Sequence, residues 1–343
     1  MSLYKNCVLC PRRCGVDRDA GQRGYCGETS ALRLAFAGIH RGEEPPITGA
    51  GGSGTVFVSG CNLGCAFCQN YQISQGDGIS GGNTVSPGMG RIVDSVQFAE
   101  ICLALQEKGA ENINIVTGSH AAPALAGGIG EARKRGLCIP VLWNSSGYDG
   151  DETLEILRDV VDVYLPDLKT LDTGIAARYF NAPDYPEKAA AAILRMMEYR
   201  KPRFGPDRNT GVQEVMLSGV IVRHLVIPGY LEATRQVLRW FSENCTGSGR
   251  GNRRGDSRDG DDNRALLSLM TQYTPVRANS REKEIPGRYV SQDEYGALIA
   301  MLEEFGIDDG FCQELVTGSE WLPNFRRPNP FSSELSVPVW HWR

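Results

Sequence analysis

The sequence predicts an α/β protein: a partial (β/α)6 TIM-like barrel with an N-terminal cysteine-rich, metal-binding segment. Three observations predict it. Short β-branched runs alternate with helical stretches between residues 55 and 305, about six times over, and such alternation implies parallel strands joined by helical crossovers. The first of these runs leads at once into a glycine-rich loop carrying three cysteines. Four further cysteines stand ahead of it in a short lead.

The chain divides accordingly into a cysteine-rich segment over 1–50, the barrel over 51–320 and a tail over 321–343. Composition bounds the function before any motif is read. Of 343 residues, 41% are hydrophobic and 22% charged, as in an ordinary soluble protein. The net charge of −5 argues against a nucleic-acid partner, which favours basic surfaces. No apolar run approaches the length of a membrane span, and no signal-peptide core follows Met1 to Lys5. Eleven cysteines without such a signal read as thiolates of a reducing, cytoplasmic compartment, available to metal.

In order, Cys7, Cys10, Cys14 and Cys26 form C-x2-C-x3-C-x11-C. Four thiolates close a tetrahedral zinc or hold a cubane fully, and spacing leaves zinc and iron–sulfur both open. A strand is expected at Leu32–Phe36, and Glu43-Glu44-Pro45-Pro46 reads as a turn or extended link. The run Thr55–Ser59 reads as the first barrel strand. It delivers Gly60-Cys61-Asn62-Leu63-Gly64-Cys65-Ala66-Phe67-Cys68-Gln69-Asn70, a C-x3-C-x2-C loop. Three thiolates satisfy neither a structural zinc nor all four irons of a cubane, so a fourth ligand comes from elsewhere or one iron stays open.

Residues 71–90 read as a surface loop. Ile92, Val96, Ala99 and Leu103 share one face of a helix. Strands are expected at Asn112–Thr117, Cys138–Trp143, Asp162–Leu165, Val220–Ile227 and Ala265–Met270. Helices are expected up to Arg135 and at Glu152–Leu157, Gly174–Phe180, Pro186–Tyr199, Leu231–Glu243 and Gln292–Phe305. Residues 246–264 hold no apolar residue and are expected to be a disordered insertion. The tail, with four prolines and three tryptophans, is expected to pack in extended form.

In barrels of this kind chemistry collects where strands end. The expected strand ends carry Thr117-Gly118-Ser119-His120, Asn144-Ser145-Ser146, Asp167 with Lys169, Arg223-His224 and Gln272-Tyr273. His224, alone in an apolar strand, reads as a satisfied core histidine. His120, in a loop, is the better functional candidate.

The stretch Gly60–Asn70 resembles the cluster loop of radical S-adenosylmethionine (radical SAM) enzymes, down to the aromatic Phe67 before the third cysteine. The resemblance implies a barrel of the radical SAM type and a [4Fe-4S] cluster on Cys61, Cys65 and Cys68, with S-adenosylmethionine (SAM) on the open iron. It implies reductive cleavage of SAM to a 5′-deoxyadenosyl radical that abstracts hydrogen, fed by an electron donor such as flavodoxin or ferredoxin. Phe67, Ser119, His120, Asn144, Asp167, Lys169 and Arg223 are then the candidate cofactor-binding residues; no catalytic side chain is assigned. Further stretches resemble the branch related to the pyruvate formate-lyase activating enzyme: Cys10–Val16, Asn112–Thr117, Tyr164–Lys169, Arg223–Gly229 and Ser268–Tyr273. That enzyme carries Gly-Gly-Glu where this chain has Thr117-Gly118-Ser119-His120, so that role does not transfer directly. The substrate, protein or small molecule, stays open. The other functional class is a non-catalytic iron–sulfur or zinc protein, structural or redox-sensing.

Overall fold

The structure is a computed structural model, and it describes residues 2–74, 88–247, 264–276, 284–319 and 321–343. After the cysteine-rich lead come β1 (Leu32–His40), α1 (Pro45–Thr48), β2 (Ser53–Val58) and α2 (Tyr71–Ser74). Then follow β3 (Arg91–Val93), α3 (Ser95–Glu107), β4 (Ile113–Val116), α4 (Ala122–Lys134), β5 (Val141–Ser145), α5 (Asp151–Leu157) and β6 (Val163–Pro166). The chain continues through α6 (Thr173–Phe180), α7 (Tyr185–Tyr199), β7 (Arg203–Pro206), β8 (Glu214–Leu225), α8 (Leu231–Asn244) and β9 (Leu266–Met270). It ends with α9 (Gln292–Phe305), β10 (Gly310–Cys312) and β11 (Ser336–His341).

The strand order is β10-β9-β8-β6-β5-β4-β2-β1-β11. From β2 to β10 every neighbouring pair is parallel. Helices join β2, β4, β5, β6, β8 and β9 to the next parallel strand, giving the expected partial (β/α)6 barrel. β1 runs antiparallel to β2, and β11 antiparallel to β1. Thus β1, within 1–50, and β11, within 321–343, are strands of the one sheet.

Helix packing explains the outer layer. Phe98, Cys102 and Leu105 of α3, Leu125 and Ile129 of α4, and Ile193 and Met196 of α7 are fully buried against the strands' outer faces. Inside, Leu142, Val163, Leu165 and Ile221 pack with Ile47 of α1, which plugs the mouth at the strands' N-terminal ends.

Several expectations are corrected. Pro45-Pro46 opens a helical turn rather than an extended link, because proline at the first helical positions forfeits no intrahelical bond. Tyr71–Ser74 is also a helical turn, with Ile73 buried, while residues 75–87 lie outside the described residues. Ile92 and Val96 do not share a buried helix face: both are exposed, and Ile92 belongs to β3. The helix starts at the Asp94 cap, whose carboxylate accepts from Gln97 N while Gln97 accepts from Asp94 N. Of the expected insertion, residues 248–263 lie outside the described residues.

Candidate active site

The three-cysteine loop leaves the C-terminal end of β2. Gly60 has φ of +85°, and a Cβ there would sit 2.7 Å from Glu28 Cγ and 3.0 Å from His120 Nε2, so only glycine fits. The loop is pinned along its length. Gly60 N donates to Ile73 O (2.8 Å), Ala66 N to Tyr179 O (2.8 Å) and Ser59 Oγ to Met89 O (2.5 Å). Phe67 is wedged edge-on between Tyr179, Phe180 and Tyr273, with ring centroids 5.1 to 5.9 Å away.

The thiols face one another electrically. Burial pushes all three up, that of Cys65 to about 12, and Cys65 and Cys68 raise Cys61 further. Lys169 works in the opposite direction on each. Cys61 Sγ accepts from Leu63 N (3.3 Å), and Cys68 Sγ lies 3.4 Å from Ser74 Oγ. Buried thiols without a strong donor set resist ionisation, whereas a bound metal deprotonates them outright. Among the described residues no three His, Cys, Asp or Glu side chains gather around a point that one ion could fill. Cys61 lies within electrostatic reach of both Cys65 and Cys68, three thiols grouped on one short loop, and a four-iron cluster takes its thiolates on separate irons.

Around the loop the structure places the other candidates. Ser119 and His120 form a 3-10 turn after β4, both buried. His120 Nε2 donates to Ser59 O (2.8 Å), and burial, with Arg18 nearby, drives its pKa down to about 3, so the ring is neutral. Thr117, just before, has φ of +61°, a strained value for a β-branched residue and one no sequence pattern revealed. Asn144 lies in β5, where its carbonyl accepts from Thr117 N (2.8 Å). Lys169 Nζ pairs with Asp167 at 2.5 Å, and Lys169 N donates to Tyr185 Oη (2.9 Å). Burial opposes the Lys169 charge, but Asp167 and Cys65 outweigh it and its pKa is raised.

Arg223 does not stand free at the rim. It turns into the barrel, where Nε and Nη2 grip Glu44 (2.9 and 2.5 Å) and Nη2 also reaches Glu43 (2.6 Å). Sequence reading missed these two glutamates, taking them with Pro45-Pro46 for a link. His224 is the satisfied core residue expected, Nδ1 donating to Leu168 O (2.7 Å) and Nε2 accepting from Thr234 Oγ1 (3.0 Å).

The four-cysteine lead docks against this loop. Arg12 Nε donates to Asn62 O (2.9 Å), its Nη1 to Asn181 O (2.6 Å), and its guanidinium stacks 3.8 Å over Tyr25. Arg18 donates to His120 O (2.7 Å), Glu28 O (3.1 Å) and Thr29 O (2.6 Å). Cys7, Cys10 and Cys26 are buried and Cys14 exposed. Burial pushes Cys10 up to about 12, with Cys26, Cys14 and Cys7 adding to it, so each of those three lies within electrostatic reach of Cys10. Among the described residues no helix is long and apolar enough to cross a membrane.

The sequence model of the radical SAM superfamily matches residues 55–238. An uncharacterized protein of Methanocaldococcus jannaschii is 28% identical over 311 residues, spanning 90% of this chain and 77% of that one. Among solved structures, SuiB of Streptococcus suis bound to S-adenosylmethionine is 12% identical with a TM-score of 0.45. The match takes in 74% of this chain but only 48% of SuiB. A domain of a pyruvate-formate lyase-activating enzyme from Bacteroides vulgatus gives 12% identity and a TM-score of 0.34, over 56% of this chain and 91% of that domain.

Proposed function

The chain belongs to the radical SAM superfamily, and from that premise we propose that Cys61, Cys65 and Cys68 hold a [4Fe-4S] cluster beside which SAM binds. The observation that carries the proposal is the pinned loop itself: three thiols on a buried turn at the strands' C-terminal mouth, facing the Lys169–Asp167 pair. When bound, the cluster and SAM supply reductive cleavage of the sulfonium to a hydrogen-abstracting 5′-deoxyadenosyl radical. The protein's own part is binding, orientation and exclusion of water.

Each of those tasks has residues. Gly60 allows the loop to fold back tightly, and Phe67 locks it against α6. His120, neutral, holds the carbonyl of Ser59 and so fixes where the loop leaves β2. Lys169 places a cation beside Cys65, favouring its thiolate form. Asn144, in β5, and Ser119, in the turn after β4, are proposed to contact SAM.

The finer reading is an enzyme of the branch related to the pyruvate formate-lyase activating enzyme, an oxidoreductase fed by flavodoxin or ferredoxin. It rests on the stretches Tyr164–Lys169 and Arg223–Gly229. A second, closed metal site on Cys7, Cys10, Cys14 and Cys26, structural or electron-relaying, is proposed; of zinc and iron–sulfur, the absence among the described residues of a single point of convergence for their sulfurs favours iron–sulfur. The deciding experiment is anaerobic reconstitution with iron and sulfide, then dithionite and SAM. 5′-Deoxyadenosine should form in the wild type and be absent from Cys65→Ala, together with the cluster's visible absorbance. No 5′-deoxyadenosine from a fully loaded wild type would leave the non-catalytic reading.

A further inference from the structure

The segment between β1 and β2 enters the barrel from below. Ile47 packs among Leu142, Val163, Leu165 and Ile221, which face inward, and the two residues ahead of α1 rise from that plug. Glu43 Oε1 accepts from Asn114 Nδ2 (3.0 Å), on the inner face of β4 in register with Thr55 and Leu142. Glu44 takes the Arg223 fork and a further bond from Ser268 of β9. Three strands of the barrel therefore meet the two carboxylates in its middle.

We propose that Glu43 and Glu44, braced by Arg223, form the floor of the substrate pocket and receive a cationic, hydrogen-bond-donating group of the substrate, an ammonium or a guanidinium. This rests on the functional reading above.

Charge is the first argument. Arg223 is one cation shared by two carboxylates, and its fork is committed to Glu44. The next charges upward, Asp167 and Lys169, cancel each other. His40, also beside Glu43, is driven by burial towards its neutral form. These five charged side chains thus sum to one surplus negative charge, in a place where the Glu43 side chain is only 13% exposed. An uncompensated charge so placed is costly, and proteins pair such groups.

The second argument is independent of charge. Asn114, wholly buried, gives one amide hydrogen to Glu43 while its Oδ1 has no donor. Buried acceptors of this kind call for a partner. A surplus carboxylate and an orphaned acceptor side by side are answered by one donor cation, and by neither an anion nor an apolar group. Polar side chains also form a continuous file, from the Cys65 thiol through Lys169, Asp167 and Arg223 to Glu44, from the cysteine loop to the floor. A molecule anchored at the floor would point its other end towards the loop.

The test uses the reconstituted full chain with SAM, titrated with propylammonium and with its neutral isostere propan-1-ol, reading Tm and heat of binding. Propylammonium should raise Tm saturably and propan-1-ol should not, since a ligand stabilises only through the state it binds. Glu43→Gln should weaken propylammonium about 10-fold or more while SAM affinity stays within about 2-fold. Asn114→Asp, which adds a carboxylate at the orphaned acceptor, should move propylammonium affinity the other way. The proposal falls if alcohol and ammonium act alike, if the wild type shows no ammonium response, or if neither substitution changes it. It falls equally if Glu43→Gln loses SAM affinity in step, because the cation received would then be the sulfonium. Failure of the wild type to make 5′-deoxyadenosine would strike the functional reading alone, since the ammonium titration is read without turnover.

Discussion

Arg12 Nε donates to the carbonyl oxygen of Asn62 at 2.9 Å, joining the cysteine-rich lead to the residue directly after Cys61. The same guanidinium donates to the carbonyls of Phe180 and Asn181 and stacks on Tyr25. A planar fork with several fixed donors can do this and an ammonium cannot. Arg12→Lys should therefore lose most of the docking, costing about 2 kcal/mol through unpaired carbonyls. A Tm drop of a few degrees, with faster proteolysis ahead of β1, is the expected outcome. An unchanged Tm would mean that the lead is held by its other contacts, among them Arg18 to His120 O and Thr153 to Leu9 O.

The lead's own cysteines give the second prediction. Cys7, Cys14 and Cys26 each lie within electrostatic reach of Cys10. A variant with Cys61, Cys65 and Cys68 all replaced by alanine should still carry zinc or iron, and lose it when Cys10 is also changed. Elemental analysis of the folded variant decides. Neither metal in a protein of normal melting behaviour would refute the second site.

The third prediction concerns pH. Burial holds the His224 pKa near 4, against an ordinary value of about 6.5, with the neutral ring donating from Nδ1 to Leu168 O and accepting at Nε2 from Thr234 Oγ1. The unfolded chain therefore binds a proton that the folded chain refuses. His224 stabilises fully above pH about 6.5, and stability falls as pH drops from there towards 4. The loss approaches roughly 3 kcal/mol at the bottom of that window. His224→Gln should start less stable at neutral pH and show a shallower decline of Tm over the same window. Parallel declines would assign the acid sensitivity to other groups.

What was legible in the sequence, and what was not, follows from the range of the forces involved. The six βα units were readable because each is a local pattern of apolar spacing. The three-cysteine loop stood out because its spacing is written in eight consecutive residues, Cys61 to Cys68. The start of α3 could have been read too: Asp94 and Gln97 spell a capping box, and heeding it would have kept Ile92 and Val96 off the buried face. β10 adds a seventh parallel strand that three residues, Gly310–Cys312, are too short to announce. Glu43 and Glu44 were illegible for another reason. Their meaning lies in Arg223, about 180 residues away in the chain, and nothing local distinguishes two glutamates before two prolines from a solvated turn. Arg223 was accordingly assigned to the rim, whereas two carboxylates draw it inward.

The last prediction concerns the stretch between α8 and β9. Its two ends meet: Thr246 and Arg264 form an antiparallel bridge, and Ala265 N donates to Cys245 O at 2.8 Å. Arg264 also pairs with Asp309 at 3.0 Å, so the start of β9 is fixed without help from what precedes it. The bridge lies after a helix and before a parallel strand, at the strands' N-terminal edge. The cysteine loop leaves the opposite, C-terminal edge, where barrel chemistry collects. Replacing residues 248–263 by a short Gly/Ser linker should then leave the barrel closed at its base. Closure entropy changes slowly with length, by about 0.6 kcal/mol per doubling, so shortening should shift stability by at most roughly 1 kcal/mol in either direction. Iron content, Tm and the rate of 5′-deoxyadenosine formation should all match the full chain. A large loss of rate at normal iron content and Tm would mean that residues 248–263 reach the reductant or the mouth of the barrel, against the topology that places their anchors at its far end.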